Sequence, residues 1–215
     1  MKTKVILVDD HAVVRAGFKM LLSTNEGIEV IAEAERGEQA IQLYQEKQPD
    51  IMVMDISMPG IGGLEAIRRI CERHGNAKIL VFSVHEKAIF ISRALDAGAM
   101  GFISKSSAAN ILIKAIQCIM QGQIYVEEGL NKTSLYRSEV TEKIDHQAII
   151  NAFSPREFDI FLLLAKGQTG HKIAEQLCMG YKTVANYSTQ IKKKLNVSNV
   201  AELAHIAVLY GMVNH

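Results

Sequence analysis

Short apolar runs alternate with helical patterns along the first 122 residues of the chain, and this alternation constrains the fold more than any other feature. The apolar runs cover residues 4–8, 29–33, 51–54, 78–82 and 101–103. Between and after them, apolar residues recur at helical spacing over residues 13–22, 38–45, 64–72, 87–95 and 110–120. Strand followed by helix, repeated five times, predicts an α/β fold with a doubly wound (βα)5 parallel sheet.

The pattern changes after residue 122. Polar residues dominate residues 123–152, which we interpret as a linker that could include a short helix. Ser154-Pro155-Arg156-Glu157 then has the residue types of a helix start. Further helical patterns lie near residues 170–177, 181–195 and 199–210. We therefore predict a small all-α four-helix domain over residues 153–215.

Composition excludes several classes of protein. Hydrophobic residues make up 48% of the chain, but no apolar run reaches the roughly 20 residues of a membrane span. The N-terminus has no signal-peptide pattern. The three cysteines, Cys71, Cys118 and Cys178, are odd in number and far apart, so we predict buried thiols of a reducing compartment. These features predict a cytoplasmic protein without disulfides, membrane contact or a zinc site.

Charge is distributed unevenly along the chain. Residues 1–130 carry 14 basic and 16 acidic side chains, whereas residues 146–215 carry 7 and 4. The mild basic excess of the second part is compatible with a nucleic-acid partner, but it does not establish one.

Polar side chains follow several predicted strands. Asp9 and Asp10 end the first strand, Asp55 the third and Ser83 the fourth, and Lys105 follows the fifth. Because ligands bind at the carboxyl ends of parallel strands, we expect these groups to converge. Crowded carboxylates repel one another unless a cation neutralises them, and Mg²⁺ prefers such oxygen ligands. Asp55 could then act as the nucleophile on phosphorus, with Lys105 stabilising phosphoryl charge.

Other interpretations of the same residues remain open. Asp9-Asp10 could merely cap a helix, and Asp55 could belong to a turn. A haloacid-dehalogenase-type hydrolase also uses an Asp nucleophile with Mg²⁺, but it would need Asp-x-Asp where this chain has Asp9-Asp10-His11. No glycine-rich phosphate loop follows any strand, which disfavours nucleotide enzymes.

The C-terminal helices include two joined by a short turn that contains Gly180. This is typical of a helix-turn-helix, whose second helix enters the major groove of DNA. Lysines on its outer face could neutralise phosphates, and Asn186 and Thr189 could reach base edges. The candidate DNA-binding residues are Lys172, Lys182, Thr183, Asn186, Thr189, Lys192 and Lys193. A small helical bundle with a solvated charged face would show the same pattern.

Residues 1–122 resemble the receiver domain of two-component response regulators in Asp9-Asp10, Asp55-x-x-Met-Pro-Gly, Ser83 and Lys105. The resemblance implies that Asp55 accepts a phosphoryl group from a sensor histidine kinase. It also implies that Asp10, Asp55 and the Ser57 main-chain carbonyl bind Mg²⁺, with Asp9 acting through water. Ser83 and Phe102 match the switch positions of the family. Many receivers have Pro with a cis bond where this chain has Ser106.

Residues 153–213 resemble the LuxR-type helix-turn-helix of the NarL/FixJ family, through Ser-Pro-Arg-Glu, Ile-Ala-x-x-Leu, Lys-Thr-Val and Lys-Lys-Leu-x-Val. Tyr187 and Leu177-Cys178 are similar to the GacA-like subgroup, which implies a hybrid sensor kinase and promoters of small regulatory RNAs. Ala185 departs from the family, which often has Lys there.

The two resemblances together imply a regulator, not an enzyme. The expected function is phosphorylation-dependent binding to promoter DNA as a homodimer. The alternative is a phosphorylation-gated regulator that binds a partner protein without sequence-specific DNA binding, for which Ala185 is the sequence support.

Overall fold

The computed structural model describes residues 2–107, 109–130 and 146–213. The chain divides into two compact units, Met1–Ser134 and Leu135–His215.

The first unit is a parallel sheet with helices between its strands. The elements, in chain order, are β1 (Thr3–Val8), α1 (Ala12–Ser23), β2 (Ile28–Ala34), α2 (Gly37–Lys47), β3 (Ile51–Met54), α3 (Gly63–Arg73), β4 (Ile79–Ser83), α4 (Ala88–Asp96), β5 (Gly101–Ser104), α5 (Ala109–Met120) and β6 (Tyr125–Val126). The strand order is β2-β1-β3-β4-β5-β6, and every pairing is parallel. The predicted doubly wound sheet and its five strands are confirmed.

The sheet has a sixth strand that the sequence analysis did not predict. β6 pairs with β5 through Gly101–Tyr125 and Phe102–Val126. It lies within residues 123–152, the range predicted as a linker. Two residues are too few to show a strand period, so only the pairing with β5 identifies them as a strand.

The inner strands are buried on both faces. Every residue of β3, β4 and β5 is buried, as are Val5–Val8 of β1. Helices cover both faces of such a sheet, which explains why its strands are continuous apolar runs. β1 pairs with β2 on one side and with β3 on the other. The crevice where strand order reverses therefore opens at the ends of β1 and β3.

The second unit is helical. Its elements are α6 (His146–Asn151), α7 (Pro155–Ala165), α8 (Gly170–Gln176), α9 (Tyr181–Leu195) and α10 (Val200–Leu209). Phe158, Phe161, Ile191, Leu195 and Leu203 are fully buried in it. α6 lies in the predicted linker range, and its His146 Nε2 is 3.1 Å from the Leu195 carbonyl oxygen at the end of α9. The four helices predicted after residue 153 are all present.

The start of α7 is fixed by a capping box. The Glu157 main-chain N–H donates to Ser154 Oγ at 3.3 Å, and the Ser154 N–H donates to Glu157 Oε2 at 2.9 Å. Glu157 is buried, and its Oε1 also accepts a 2.5 Å hydrogen bond from Lys194 Nζ of α9. Burial acts to raise the pKa of Glu157, but the bonds from Lys194 and Ser154 together hold the pKa below its ordinary value. One carboxylate thus caps α7 and joins it to α9.

We expect Glu157→Gln to lower the stability of the second unit at pH 7 by about 1 kcal/mol, because the amide keeps the capping geometry but loses the charge that Lys194 pairs with. A depressed carboxyl pKa contributes stability above the unfolded pKa, and the contribution is lost as pH falls through the folded pKa. The gap between wild type and variant should therefore close below about pH 4. Urea unfolding from pH 3 to pH 7 measures this, and a gap that does not change with pH would contradict it.

Burial of the cysteines differs from the prediction. Cys71 and Cys118 are half-buried, whereas Cys178 is exposed. Cys178 has φ 52° in the turn after α8. A turn residue between two helices has few neighbours to bury it, and the apolar residues beside it in the sequence did not reveal this. No helix in the described part of the chain is long and apolar enough to cross a membrane.

Candidate functional site

The ends of β1 and β3 bring three carboxylates together. Val8 pairs with Met54, and the Asp55 N–H donates to the Val8 carbonyl at 2.8 Å. This register places Asp9 and Asp10 beside Asp55. Ligand atoms of these three residues and of His11 all lie within 4.8 Å of one another. Asp9 and Asp55 are only 4% and 2% exposed, so their charges require nearby compensation.

Lys105 supplies part of that compensation. Its Nζ is 2.8 Å from Asp55 Oδ2 and 2.5 Å from Asp9 Oδ2. Burial raises the pKa of Asp55 above its ordinary value, and the hydrogen bond from Lys105 offsets only part of this effect. Burial acts to lower the pKa of Lys105, but Asp55 and Asp9 together outweigh it and hold the pKa above its ordinary value. Lys105 is therefore an ammonium bridging two carboxylates.

The donor set fits a hard divalent cation. Asp9, Asp10 and Asp55 offer carboxylate oxygens at one edge of the sheet. In proteins, Mg²⁺ is usually held by one or two carboxylates and keeps several of its waters. Asp10 is partly exposed, so one side of the cluster opens to solvent. Ser57 is exposed in the loop after β3, and its N–H donates to Asp55 Oδ1 at 3.2 Å.

The two predicted switch residues lie on neighbouring strands. Ser83 ends β4 and is fully buried, and its Oγ accepts from the His85 N–H at 3.1 Å. Phe102 of β5 is also fully buried. The Lys105 N–H donates to the Ser83 carbonyl at 2.8 Å, which links the loops after β4 and β5. The Lys105–Ser106 peptide bond is trans.

Two residues that were not predicted from the sequence contact Asp9 or Asp10. His11 Nδ1 is 2.8 Å from Asp10 Oδ1. Arg15 of α1 is buried and donates to the Asp9 carbonyl oxygen and to Glu35 Oε1, both at 2.6 Å. Arg15 lies one helical turn after His11, and this spacing was the sequence feature that could have indicated its contact with the end of β1. Spacing alone could not show that the guanidinium turns toward the end of β1.

The second unit presents a basic helix at its surface. Val184, Ile191 and Leu195 of α9 are buried and form its inner face. Lys192 is half-buried, and the other predicted DNA-binding residues are exposed: Lys172, Lys182, Thr183, Asn186, Thr189 and Lys193. The Thr189 hydroxyl donates to the Ala185 carbonyl at 3.0 Å. Lys194 is set apart from Lys192 and Lys193 by its bond to Glu157.

The turn between α8 and α9 has a defined geometry. Thr169 caps α8 through its side chain, and Gly180 is the N-cap of α9. The rings of His171 and Tyr181 stack with centroids 4.3 Å apart, joining the first turns of the two helices. α8 and α9 thus form the predicted helix-turn-helix, with α9 as its second helix.

Two family models match the chain. The response regulator receiver domain covers residues 5–117, and the luxR family of bacterial regulatory proteins covers residues 151–207. The two matches coincide with the two sites described above, one in each unit.

The chain is also similar to known proteins along nearly its whole length. The chain is 39% identical to the transcriptional activator protein ExaE of Pseudomonas putida, over 97% of both chains. It is 35% identical to the response regulator GacA of Pseudomonas aeruginosa, over 98% of both chains. The structure of RcsB from Salmonella enterica serovar Typhimurium, bound to promoter rprA with the phosphomimetic BeF3-, has 25% identity, a TM-score of 0.66 and 100% coverage of both chains. The predicted GacA-like resemblance is confirmed, and the chain belongs to the NarL/FixJ family of two-component response regulators, with a receiver domain followed by a LuxR-type DNA-binding domain.

Proposed function

We propose that Asp55 is the phosphoacceptor through which a sensor histidine kinase controls DNA binding by this regulator. The position of the Asp55 carboxylate supports this role. It lies at the end of β3, 2.8 Å from the Lys105 ammonium and beside Asp9 and Asp10. Among the carboxylates of the cluster, Asp55 combines the deepest burial with direct contact to Lys105.

The reaction is a phosphoryl transfer. A carboxylate oxygen of Asp55 attacks phosphorus, an O–P bond forms, and the P–N bond of the kinase phosphohistidine breaks, leaving its electron pair on the imidazole. The Lys105 ammonium stabilises negative charge on the phosphoryl oxygens. Mg²⁺ bound through Asp10, Asp55 and the Ser57 carbonyl, with Asp9 acting through water, would supply charge neutralisation and orientation. The residues themselves position the nucleophile at a buried edge open on one side.

The phosphoryl group would change a pre-existing equilibrium between two conformations. Ser83 would hydrogen-bond the phosphoryl group, and the Phe102 ring would repack in response. Phe102 lacks the hydroxyl of a tyrosine, so ring packing alone would transmit the change. The surface formed by β4, α4 and β5 would differ between the two states and would favour a homodimer on two DNA half-sites.

On DNA, lysines at both ends of α9 would neutralise phosphates, and Asn186 and Thr189 would face base edges. Thr183 and Lys172 would contact the sugar-phosphate backbone beside the turn. Thr189 would have to release the Ala185 carbonyl to donate to a base, whereas it could accept without doing so. The GacA-like resemblance implies a hybrid sensor kinase as partner, promoters of small regulatory RNAs as targets and a cytoplasmic location, and we propose all three for this chain.

Chemical mapping tests the phosphoacceptor. We expect acetyl phosphate with Mg²⁺ to form an acyl phosphate that borohydride reduces to homoserine at position 55, seen by mass spectrometry of peptides. EDTA should prevent the modification. Homoserine at position 9 or 10 instead of 55 would refute the assignment.

A further inference from the structure

Two carboxylates outside the acidic cluster hold the loop that carries Lys105. Glu86, in the loop after β4, accepts hydrogen bonds through Oε1 from Ser104 Oγ at 2.5 Å and Ser106 Oγ at 3.1 Å. Glu127, directly after β6, accepts through Oε2 from the Ser104 N–H at 2.8 Å and from Ser107 Oγ at 2.5 Å. The residues on both sides of Lys105 are thus held in place by hydrogen bonds to Glu86 and Glu127.

The serines also bond to one another. The Ser106 N–H donates to Ser104 Oγ at 3.1 Å, and the two hydroxyls are 2.7 Å apart. Ser104 is 2% exposed, so its hydroxyl and N–H rely on these partners in place of water. The bonds from Ser104 and Ser106 lower the pKa of Glu86, because hydroxyl donors favour the ionised carboxylate.

The network joins the strands that surround the site. Ser104 pairs with Ser83 across β4 and β5, and the Glu127 N–H donates to the Phe102 carbonyl at 3.1 Å. Glu86 and Glu127 therefore hold the end of β5 from two sides, one from the loop after β4 and the other from β6. The direction in which the Lys105 side chain leaves β5 depends on this backbone.

We propose that Glu86 and Glu127 are positioning residues for Lys105: they fix the loop after β5 so that the Lys105 ammonium stays aimed at Asp55 and at the incoming phosphoryl group. The inference rests on the proposed function, because it assigns a role in phosphoryl transfer at Asp55. Neither carboxylate contacts the Asp55 or Asp9 side chain in the bonds described, so their effect passes through Lys105.

The direction of the change in phosphorylation rate distinguishes a positioning carboxylate from an ordinary surface carboxylate. Acetyl phosphate is an anion, so removing a negative charge near the site would by itself leave phosphorylation unchanged or make it faster. Loss of a positioning contact makes it slower, because misplacement of a catalytic group by about 1 Å costs up to roughly 100-fold in rate. Charge removal and loss of positioning thus act in opposite directions.

The test compares rate constants for phosphorylation by acetyl phosphate with Mg²⁺ in the full chain. We expect Glu86→Ala and Glu127→Ala each to lower the rate constant about tenfold. Glu86→Gln and Glu127→Gln should recover most of the rate, since an amide oxygen also accepts from a hydroxyl or N–H. Glu128→Ala is the matched control, because it removes an exposed carboxylate next to Glu127 and should leave the rate unchanged.

A double-mutant cycle tests whether the effect passes through Lys105. In a Lys105→Ala background, Glu86→Ala should have no further effect on the rate, whereas additive effects would overturn the inference. Some variants could be phosphorylated too slowly for a rate constant to be measured. For these, the same cycle is measured as the rise in Tm on adding beryllofluoride. Wild-type rates in both alanine variants would also overturn the inference and leave Asp55 as the phosphoacceptor. Absence of phosphorylation in the wild type would instead refute the proposed function, and this inference with it.

Discussion

Replacing Asp55 with asparagine is expected to lower the rate of phosphate incorporation from acetyl phosphate by more than roughly 1,000-fold, because an amide oxygen is a far poorer nucleophile than a carboxylate. The asparagine side chain would occupy nearly the same volume at the end of β3, so the geometry of the sheet should remain. Incorporation is measured as acid-labile phosphate over time at saturating Mg²⁺.

Asp50→Asn is the matched control for this variant. Asp50 directly precedes β3, at the opposite end of the strand from Asp55, and its Oδ2 accepts from the Lys4 N–H at 2.7 Å, which an amide oxygen could also do. The control should be phosphorylated at the wild-type rate. Equal incorporation in wild type and Asp55→Asn would show that another residue accepts the phosphoryl group.

Stability provides an independent readout of Asp55→Asn. Since burial raises the pKa of Asp55 in the folded protein, ionisation of this group favours unfolding. The contribution of Asp55 to the stability of the folded protein is therefore fully present below the ordinary carboxyl pKa near 3.8. It is lost as pH rises through the pKa of Asp55 in the folded protein. Without Mg²⁺ at pH 7, Asp55→Asn should be about 1 kcal/mol more stable than wild type, and the advantage should vanish near pH 4. A variant less stable than the wild type at pH 7 would contradict this expectation.

Removing three lysines of α9 is expected to have the second large effect, on DNA. The combined variant Lys182→Ala, Lys192→Ala and Lys193→Ala should lower affinity for promoter DNA roughly 100-fold at physiological salt. The magnitude of the slope of log K against log salt should fall by about 3 per protomer. Each phosphate contact releases about one counterion when the protein binds, and the variant makes three fewer contacts. Titrations from about 50 to 300 mM salt, by fluorescence anisotropy, measure both quantities.

Two further variants separate charge from base recognition. Lys47→Ala removes a lysine from the receiver and should leave both affinity and slope unchanged. Asn186→Ala should reduce the difference between promoter and unrelated DNA by about 1–3 kcal/mol with no change in slope. A lysine variant that kept the full slope would show that α9 does not contact the phosphates.

The sequence was sufficient to predict the cluster because parallel strands end at a common edge. Asp9 and Asp55 had to meet once β1 and β3 were neighbours, and the apolar runs before them indicated those strands. Glu86 and Glu127 could not be predicted in the same way. Both follow strands without a regular spacing, and their role depends on loop conformations that bring Ser104 and Ser106 within reach.

The same limit applies in the second unit. The residues of the α7 cap were recognisable from Ser154 to Glu157, since a capping box is local in sequence. The bond between Glu157 and Lys194 was not, because 37 residues separate the partners. It decides which of three consecutive lysines pairs with a buried carboxylate, and the other two, Lys192 and Lys193, are the ones we propose for contact with DNA.

Control of DNA binding by phosphorylation at Asp55 is tested by a binding titration in two proteins. Affinity for duplex promoter DNA is measured at fixed salt with and without beryllofluoride and Mg²⁺, in wild type and in Asp55→Asn. We predict that beryllofluoride tightens binding by the wild type at least about tenfold, in the range of a typical coupling free energy, and does not affect Asp55→Asn. Equal affinity of the wild type in both conditions would contradict the account, because the acidic site would then be uncoupled from α9.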